Sequence, residues 1–119
     1  MNISEVFQAN AKGVVIREVY LHQFVDEIRA ANPIQRRRSI SADKVARDDW
    51  AAVVAATVET ICREKDDPIP AWTEVVSGTP IFIPSVPPDS KAAAYLRRVS
   101  PEPFSRRNVF VTDNFLSRA

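Results

Sequence analysis

The chain has 119 residues, of which 45% are hydrophobic and 26% are charged, and its formal net charge is +1. This length and composition predict one globular domain with its own core rather than a disordered segment. The near-neutral charge argues against a general nucleic-acid binder, and the chain has neither an apolar run of membrane-spanning length nor a signal-peptide pattern at its start. The single cysteine, Cys62, excludes an intrachain disulfide and is typical of a reducing, cytoplasmic setting.

A short helix with Ser4 as its N-cap and Gly13 as its stop is expected first. A long amphipathic helix follows from Val15, with Ile16, Tyr20, Phe24 and Ile28 recurring every four residues. The Asn32-Pro33 pair ends this helix, because proline disfavours helical backbone in the residue before it. Residues 33–42 have no periodicity and are predicted to be a basic connection, in which Arg36, Arg37 and Arg38 are solvated or grip an anionic surface.

A second long helix is predicted from about Asp48 to Lys65. Its wide apolar stripe includes alanines that allow another helix to approach closely, and acids precede bases in the order that the helix dipole favours. We therefore expect this helix to be central to the core.

Residues 66–90 contain six prolines, a density that excludes a long helix and disfavours a central strand. Because Trp72 and the run from Ile81 to Ile83 are too apolar for a flexible linker, we expect an ordered strap. A third helix is expected from Asp89 or Ser90 to Val99, with Tyr95 and Leu96 on its packed side, followed by a short extended run near residues 109–111. The sequence thus predicts a mainly α fold: a single helical domain over residues 1–119 with two long and several short helices, a proline-rich irregular strap at 66–90 and a short extended C-terminal piece.

The residues that common catalytic and cofactor sites need are missing from the sequence. The two glycines lie far apart and form no phosphate-binding loop, and one histidine with one cysteine cannot supply a Cys/His zinc site. The paired acids Asp48-Asp49 and Asp66-Asp67 are explained by a helix start and a loop. We therefore expect no enzymatic activity, no catalytic residue, no metal and no cofactor.

The charge is unevenly distributed, with six acids and two bases in residues 48–67 against six bases and three acids in residues 89–119. The two regions either attract each other within one fold or suit different partner surfaces. In the basic region, arginines alternate with aromatic residues, a composition that is typical both of interface hot spots and of a tail that closes its own core. We expect Pro101, Phe104 and Phe110 to anchor this tail, with Arg106 and Arg107 available to a partner. The predicted partner-binding residues are Arg97, Arg98, Phe104, Arg106, Arg107, Asn108 and Phe110.

The order of Pro-Ala-Trp at 70–72, Ser-Pro-x-x-Phe at 100–104, Arg-Asn-Val-Phe-Val at 107–111 and Leu-x-Arg-Ala at 116–119 resembles a family of small uncharacterised bacterial proteins. Members of that family are encoded beside nucleotidyltransferase-like toxins, so the resemblance implies an antitoxin or accessory role. The positions that carry it are Pro70, Trp72, Ser100, Pro101, Phe104, Arg107, Asn108, Phe110, Leu116 and Arg118. The chain departs from the family pattern at residues 78–88, where the family has an aromatic-rich segment, and this departure bears on which partner is bound.

Three functions remain open from the sequence. The leading interpretation is a non-enzymatic antitoxin-like protein, either with its basic 97–107 region over the catalytic carboxylates of a toxin or with the acids of 48–67 mimicking nucleotide phosphates. The alternative is a DNA-binding regulator that uses Lys91, Arg97 and Arg98, although the prolines before that helix spoil the tight turn of a helix-turn-helix motif. A structural or oligomer-forming role is the third.

Overall fold

The computed structural model of the protein describes residues 1–43 and 45–117, and Arg118, one of the positions that carry the resemblance, lies outside these ranges. The described residues are mainly helical with a two-stranded sheet, which confirms the predicted fold class. The helices are α1 (Ile3–Gln8), α2 (Val14–Ala30), α3 (Pro33–Ser39), α4 (Asp49–Lys65), α5 (Lys91–Val99) and α6 (Glu102–Ser105), and the strands are β1 (Ile81–Ile83) and β2 (Val109–Val111). None of these helices is both long and apolar enough to cross a membrane.

Helix α4 lies at the centre of the core, as predicted. The carboxylate of Asp48 accepts a hydrogen bond from the Ala51 amide (2.8 Å), so that Asp48 caps the first turn. Every side chain from Trp50 to Glu59 is buried. The helix ends at Asp66, whose left-handed backbone (φ 56°) lets the Asp67 amide donate to the carbonyl of Cys62 (2.8 Å).

Helix α2 buries only the C-terminal part of its apolar face. Leu21, Phe24, Val25 and Ile28 are buried in the main core, whereas Ile16 is exposed. The expectation that Ile16 belongs to the buried stripe is therefore wrong. The first turns of α2 meet the body of the protein on another side, where the Arg17 guanidinium lies 4.7 Å from the Trp50 ring centroid.

Two short helices differ from the sequence prediction at their starts. Asn2, rather than Ser4, caps α1, because its side-chain oxygen accepts from the Ser4 amide (3.1 Å). The expectation of an irregular connection at residues 33–42 is wrong, since Asn32 caps α3 by accepting from the Gln35 amide (2.9 Å) and Pro33 occupies the first turn. The Asn-Pro pair thus ends one helix and also begins the next.

The expectation that Arg36 is a solvated or anion-gripping loop residue is also wrong. Its side chain is buried, forms an ion pair with Asp67 and donates to the carbonyl of Ala31 (2.8 Å). The hydrogen bond from Arg36 is the main reason that the pKa of the Asp67 carboxyl lies below its ordinary value. Arg36 therefore fastens α3 to the end of α4.

The strap at residues 66–90 is ordered, as predicted, and contains a 3₁₀ turn at Ala71–Thr73 and strand β1. The indole nitrogen of Trp72 donates to the carbonyl of Ile40 (2.8 Å), and its ring meets Phe7 edge-on with a centroid separation of 5.4 Å. The Ser77 amide donates to the carbonyl of Arg107 (2.9 Å). These contacts join the strap to the N-terminal helices on one side and to the C-terminal segment on the other.

Candidate protein-binding surface

Strands β1 and β2 pair in parallel, with Phe82 opposite Phe110. The two phenyl rings stack with a centroid separation of 5.4 Å. The outer edge of β2 is closed by Ser100, whose hydroxyl accepts from the Val111 amide (3.2 Å) and donates to the Val109 carbonyl (3.3 Å). This small sheet is a fixed platform beneath α5.

Helix α5 covers the platform with one face and leaves the other in solvent. The Ser90 hydroxyl caps it by accepting from the Ala93 amide (3.1 Å), and Ala93 and Leu96 pack against the phenyl rings. Tyr95, which the sequence predicted on the packed side, is instead exposed. We call the exposed face the α5 surface; it consists of Lys91, Tyr95, Arg97 and Arg98, with the rings of Phe82 and Phe110 beneath.

The arginines of the α5 surface are held by aromatic rings. The guanidinium carbon of Arg97 lies 5.0 Å from the ring centroid of Phe82 and 4.9 Å from that of Phe110. The guanidinium of Arg98 lies 5.4 Å from the Tyr95 ring centroid. Within residues 1–43 and 45–117, no carboxylate forms an ion pair with either arginine. The α5 surface thus offers two oriented cations whose charge is not neutralised by a described neighbour.

Arg107 has the opposite environment, and the expectation that it is available to a partner is wrong. Its side chain is only 1% exposed and donates to Glu59 (2.5 Å) and to the carbonyl of Pro103 (2.7 Å). Two further hydrogen bonds, of 3.2 and 2.9 Å, go to the carbonyl of Thr73. Arg107 therefore joins α4, the strap and α6 in the interior.

Arg106 pairs with the same carboxylate but, unlike Arg107, is exposed. Its Nε donates to Glu59 (3.0 Å), and a nitrogen of Arg63 lies 2.5 Å from the other oxygen of Glu59. Burial opposes ionisation of Glu59, but the hydrogen bonds from Arg106 and Arg107 outweigh it, so the pKa of Glu59 lies below its ordinary value. In this cluster, which we call the Glu59 cluster, the acidic and basic regions of the sequence attract each other within one fold.

The remaining predicted residues of the tail, Phe104, Asn108 and Phe110, make contacts within the protein's own fold. Phe104 is fully buried and meets Phe115 edge-on at 5.6 Å, which confirms that it anchors the tail, and Phe110 is likewise buried. Asn108 has a left-handed backbone (φ 65°), and its carbonyl accepts from the Ile81 amide (3.0 Å). Asn108 thus turns the chain into β2 and starts the sheet.

The structure brings Arg97, Arg98 and Phe110 of the predicted set together and adds two residues that the sequence analysis did not include. Phe82 was noted only as an apolar residue of the strap, and its pairing with Phe110 depends on the strand register. Tyr95 lies three residues before Arg98 on α5, and this helical spacing was a readable signal for a stacked pair.

The described residues contain no cluster of three or more His, Cys, Asp or Glu side chains that could hold a metal ion. Cys62 is buried within α4, and burial is the main reason that the pKa of its thiol is raised to about 11. A thiol of this kind stays protonated near neutral pH, so it is a packing residue rather than an activated nucleophile.

Comparison of this chain with protein-family models, with curated proteins and with solved structures finds no match.

Proposed function

We propose that the protein is a non-enzymatic binding protein whose α5 surface recognises an acidic surface of a protein partner. Following the sequence resemblance, the proposed partner is a nucleotidyltransferase-like toxin that the protein neutralises, and the proposed compartment is the reducing cytoplasm, in which a lone thiol such as Cys62 is stable. The observation that supports this function is Arg97, which is stacked on Phe82 and Phe110 and has no ion-pair partner among the described residues.

Stacking gives Arg97 the properties of an interface anchor. A guanidinium held over aromatic rings keeps the N–H groups that point away from the rings free for a carboxylate, which it can bind through two parallel hydrogen bonds. Because the rings already orient the side chain, less conformational entropy is lost on binding. Arginine and tyrosine are also enriched at energetic hot spots of interfaces, and Tyr95 and Arg98 extend the surface by one turn of α5.

The proposed mode of neutralisation is occlusion of the catalytic carboxylates of the toxin. Arg97 and Arg98 would pair with those carboxylates and displace the metal ions or substrate that they serve. The other mode considered from the sequence, in which acids of residues 48–67 mimic nucleotide phosphates, is less well supported, because Glu59 is buried in the Glu59 cluster.

A DNA-binding regulator is the competing function, since Lys91, Arg97 and Arg98 lie on one helix. The elements before α5 do not favour it. Residues 66–90 contain one 3₁₀ turn and strand β1, so α5 is not preceded by the first helix of a helix-turn-helix motif. A protein partner therefore agrees better with the structure.

The test is co-expression of the tagged protein with the product of its neighbouring gene, followed by purification and mass spectrometry. The variant R97E/R98E is compared with R37E/R38E, which reverses another pair of consecutive exposed arginines, in the last turn of α3, and changes the net charge equally. We expect a stoichiometric partner to be lost from R97E/R98E and retained by R37E/R38E, with both variants folded by circular dichroism.

Two results would contradict the proposal. Retention of the partner by R97E/R98E would exclude the α5 surface as the binding site. The regulator would be favoured if DNA co-purified instead of a protein and if its affinity fell steeply as the salt concentration was raised.

A further inference from the structure

A second surface, unrelated in chemistry to the α5 surface, lies along α2. Its first turns expose four β-branched aliphatic side chains within six residues: Val14, Val15, Ile16 and Val19. Val15 is 75% exposed and Val19 is 49% exposed. Single exposed aliphatic residues are ordinary, but Val15 and Val19 lie four residues apart and so share one face of the helix, and a shared apolar face is typical of an interaction site.

Val15 and Val19 line a groove between α2 and the C-terminal turn that carries Phe115. The groove has a volume of about 670 Å³ and is lined by Val15, Glu18, Val19, His22, Gln23, Asp26, Phe115 and Ser117. The ring of Phe115 is fixed on both sides, by His22 at a centroid separation of 5.2 Å and by Phe104 at 5.6 Å. The wall opposite α2 is therefore preformed.

The charge of the groove indicates what it binds. Its available carboxylate is that of Glu18, because Asp26, which also lines the groove, already interacts with another group, and none of the described lining residues is a lysine or an arginine. Glu18 forms no ion pair with any residue in 1–43 or 45–117. An apolar floor with an acidic rim is complementary to a segment with an apolar face and basic flanks.

We infer that this groove, the α2 groove, binds an amphipathic helical segment of a partner protein, with aliphatic side chains against Val15, Val19 and Phe115 and lysine or arginine beside Glu18. The lining residues on α2 run from Val15 to Asp26, a helical length of about 16 Å, which matches about three turns of a bound helix. Recognition of this kind is the helix-in-groove mode, in which residues at i, i+3, i+4 and i+7 enter the apolar floor.

A second copy of this chain is the less suitable occupant. In a two-fold dimer the same patch meets itself, so the acidic rims of both copies would lie at one interface. The basic helix α5 has the required charge, but Tyr95 is the only large apolar residue on its exposed face and it has no aliphatic stripe. The groove therefore suits a different chain.

The test measures fluorescence anisotropy of a labelled synthetic peptide of about 14 residues, about four helical turns, with leucine on one face and lysine on the other. A peptide of the same pattern with glutamate in place of lysine is the charge control. The protein is the full chain, its groove variant V15S/V19S, or the control I34S, which removes another exposed aliphatic residue (68% exposed) on α3. Because all three side chains are exposed, we expect both variants to fold, and circular dichroism checks this.

We expect the lysine peptide to bind the wild type and I34S equally, to lose about tenfold or more in affinity for V15S/V19S, and to bind more tightly than the glutamate peptide. Equal affinity for V15S/V19S, or equal affinity of the two peptides, would overturn the inference. A concentration-dependent dimer in analytical ultracentrifugation that V15S/V19S abolishes would overturn it as well, in favour of self-association. None of these results depends on the α5 surface.

Discussion

Replacing Glu59 with glutamine tests whether the Glu59 cluster holds the C-terminal segment in place. Glutamine has nearly the same shape, so the change creates no cavity, but it removes the negative charge and turns one acceptor oxygen into a donor. Arg107 would then keep a buried positive charge with only neutral oxygens around it, among them the carbonyls of Thr73 and Pro103. Arg106 can turn to water, but Arg107 cannot, because its side chain is only 1% exposed.

Breaking a buried ion pair by removing one partner costs about 3–5 kcal/mol, because the other charge stays uncompensated. The matched control is Glu64→Gln, which makes the same substitution on the same helix. Glu64 is 41% exposed and pairs with Arg29, so its loss should cost about 1 kcal/mol or less. For a chain of this length, about 1 kcal/mol corresponds to about 4 °C in Tm, so E59Q should melt about 12–20 °C below the wild type.

The assay is thermal and urea unfolding followed by circular dichroism and tryptophan fluorescence. Trp72 belongs to the strap that Arg107 joins to the tail, and Trp50 belongs to α4, so the fluorescence reports both regions. If E59Q were no less stable than E64Q, the Glu59 cluster would not hold the tail, and Arg107 would have to find water in the native state.

Four other measurements test the Glu59 carboxylate, Phe104, Ser100 and Cys62 in turn. The pKa of Glu59 is lower in the folded protein than its ordinary value of 4.5, so ionised Glu59 stabilises the fold fully above pH 4.5, and this stabilisation is lost as the pH falls through the folded pKa. Lowering the pH from 6 to 3 should therefore reduce the free energy of unfolding of E59Q less than that of the wild type, as measured by urea unfolding at each pH. Phe104→Ala should cost about 3–5 kcal/mol in urea unfolding, since the ring is fully buried. Ser100→Ala should cost about 1–2 kcal/mol, because it leaves the outer edge of β2 without its bridging hydroxyl. Cys62 should react with iodoacetamide only in denaturant, given its burial and a pKa of about 11, and rapid labelling of the native protein would show that α4 opens locally.

The parts of the fold that the sequence predicted are those with strong local signals. Helix α4 has an N-cap, a periodic apolar face and charges in dipole order, and its predicted bounds agree with the structure to one residue. Helix α3 was missed although Asn32 and Pro33 are a good helix start, because the same pair was interpreted only as the end of α2. The error came from assigning one meaning to a signal that had two.

The exposure of Ile16 could not be read from periodicity. A periodic apolar stripe shows that a helix has a face to bury, but not which neighbour covers each turn. In α2 the core covers the stripe only from Leu21 onwards. Ile16, at the start of the stripe, therefore stays exposed.

Whether each C-terminal arginine is buried or exposed depends on contacts between residues far apart in the sequence, which no local pattern contains. Arg97 and Arg107 both lie next to another arginine and within three residues of an aromatic residue, so their local sequence gave no reason to separate them. Glu59, which lies 48 residues before Arg107, decides that Arg107 is interior. Arg97 remains at the surface because the strand register brings Phe82 beside Phe110 beneath it.

The net charge of +1 does not show how the fold distributes positive and negative groups between the interior and the surface. Arg63, Arg106 and Arg107 face the three carboxylates of Glu59, Glu74 and Glu102, and Arg36 faces Asp67, so these groups contribute little to the field outside the protein. At two places a charge has no described ion-pair partner: the arginines over aromatic rings at the α5 surface, and the Glu18 carboxylate beside exposed valines at the α2 groove. A chain with balanced composition can therefore present two surfaces of opposite charge, and each surface excludes the partners that the other attracts, because like charges at an interface are costly.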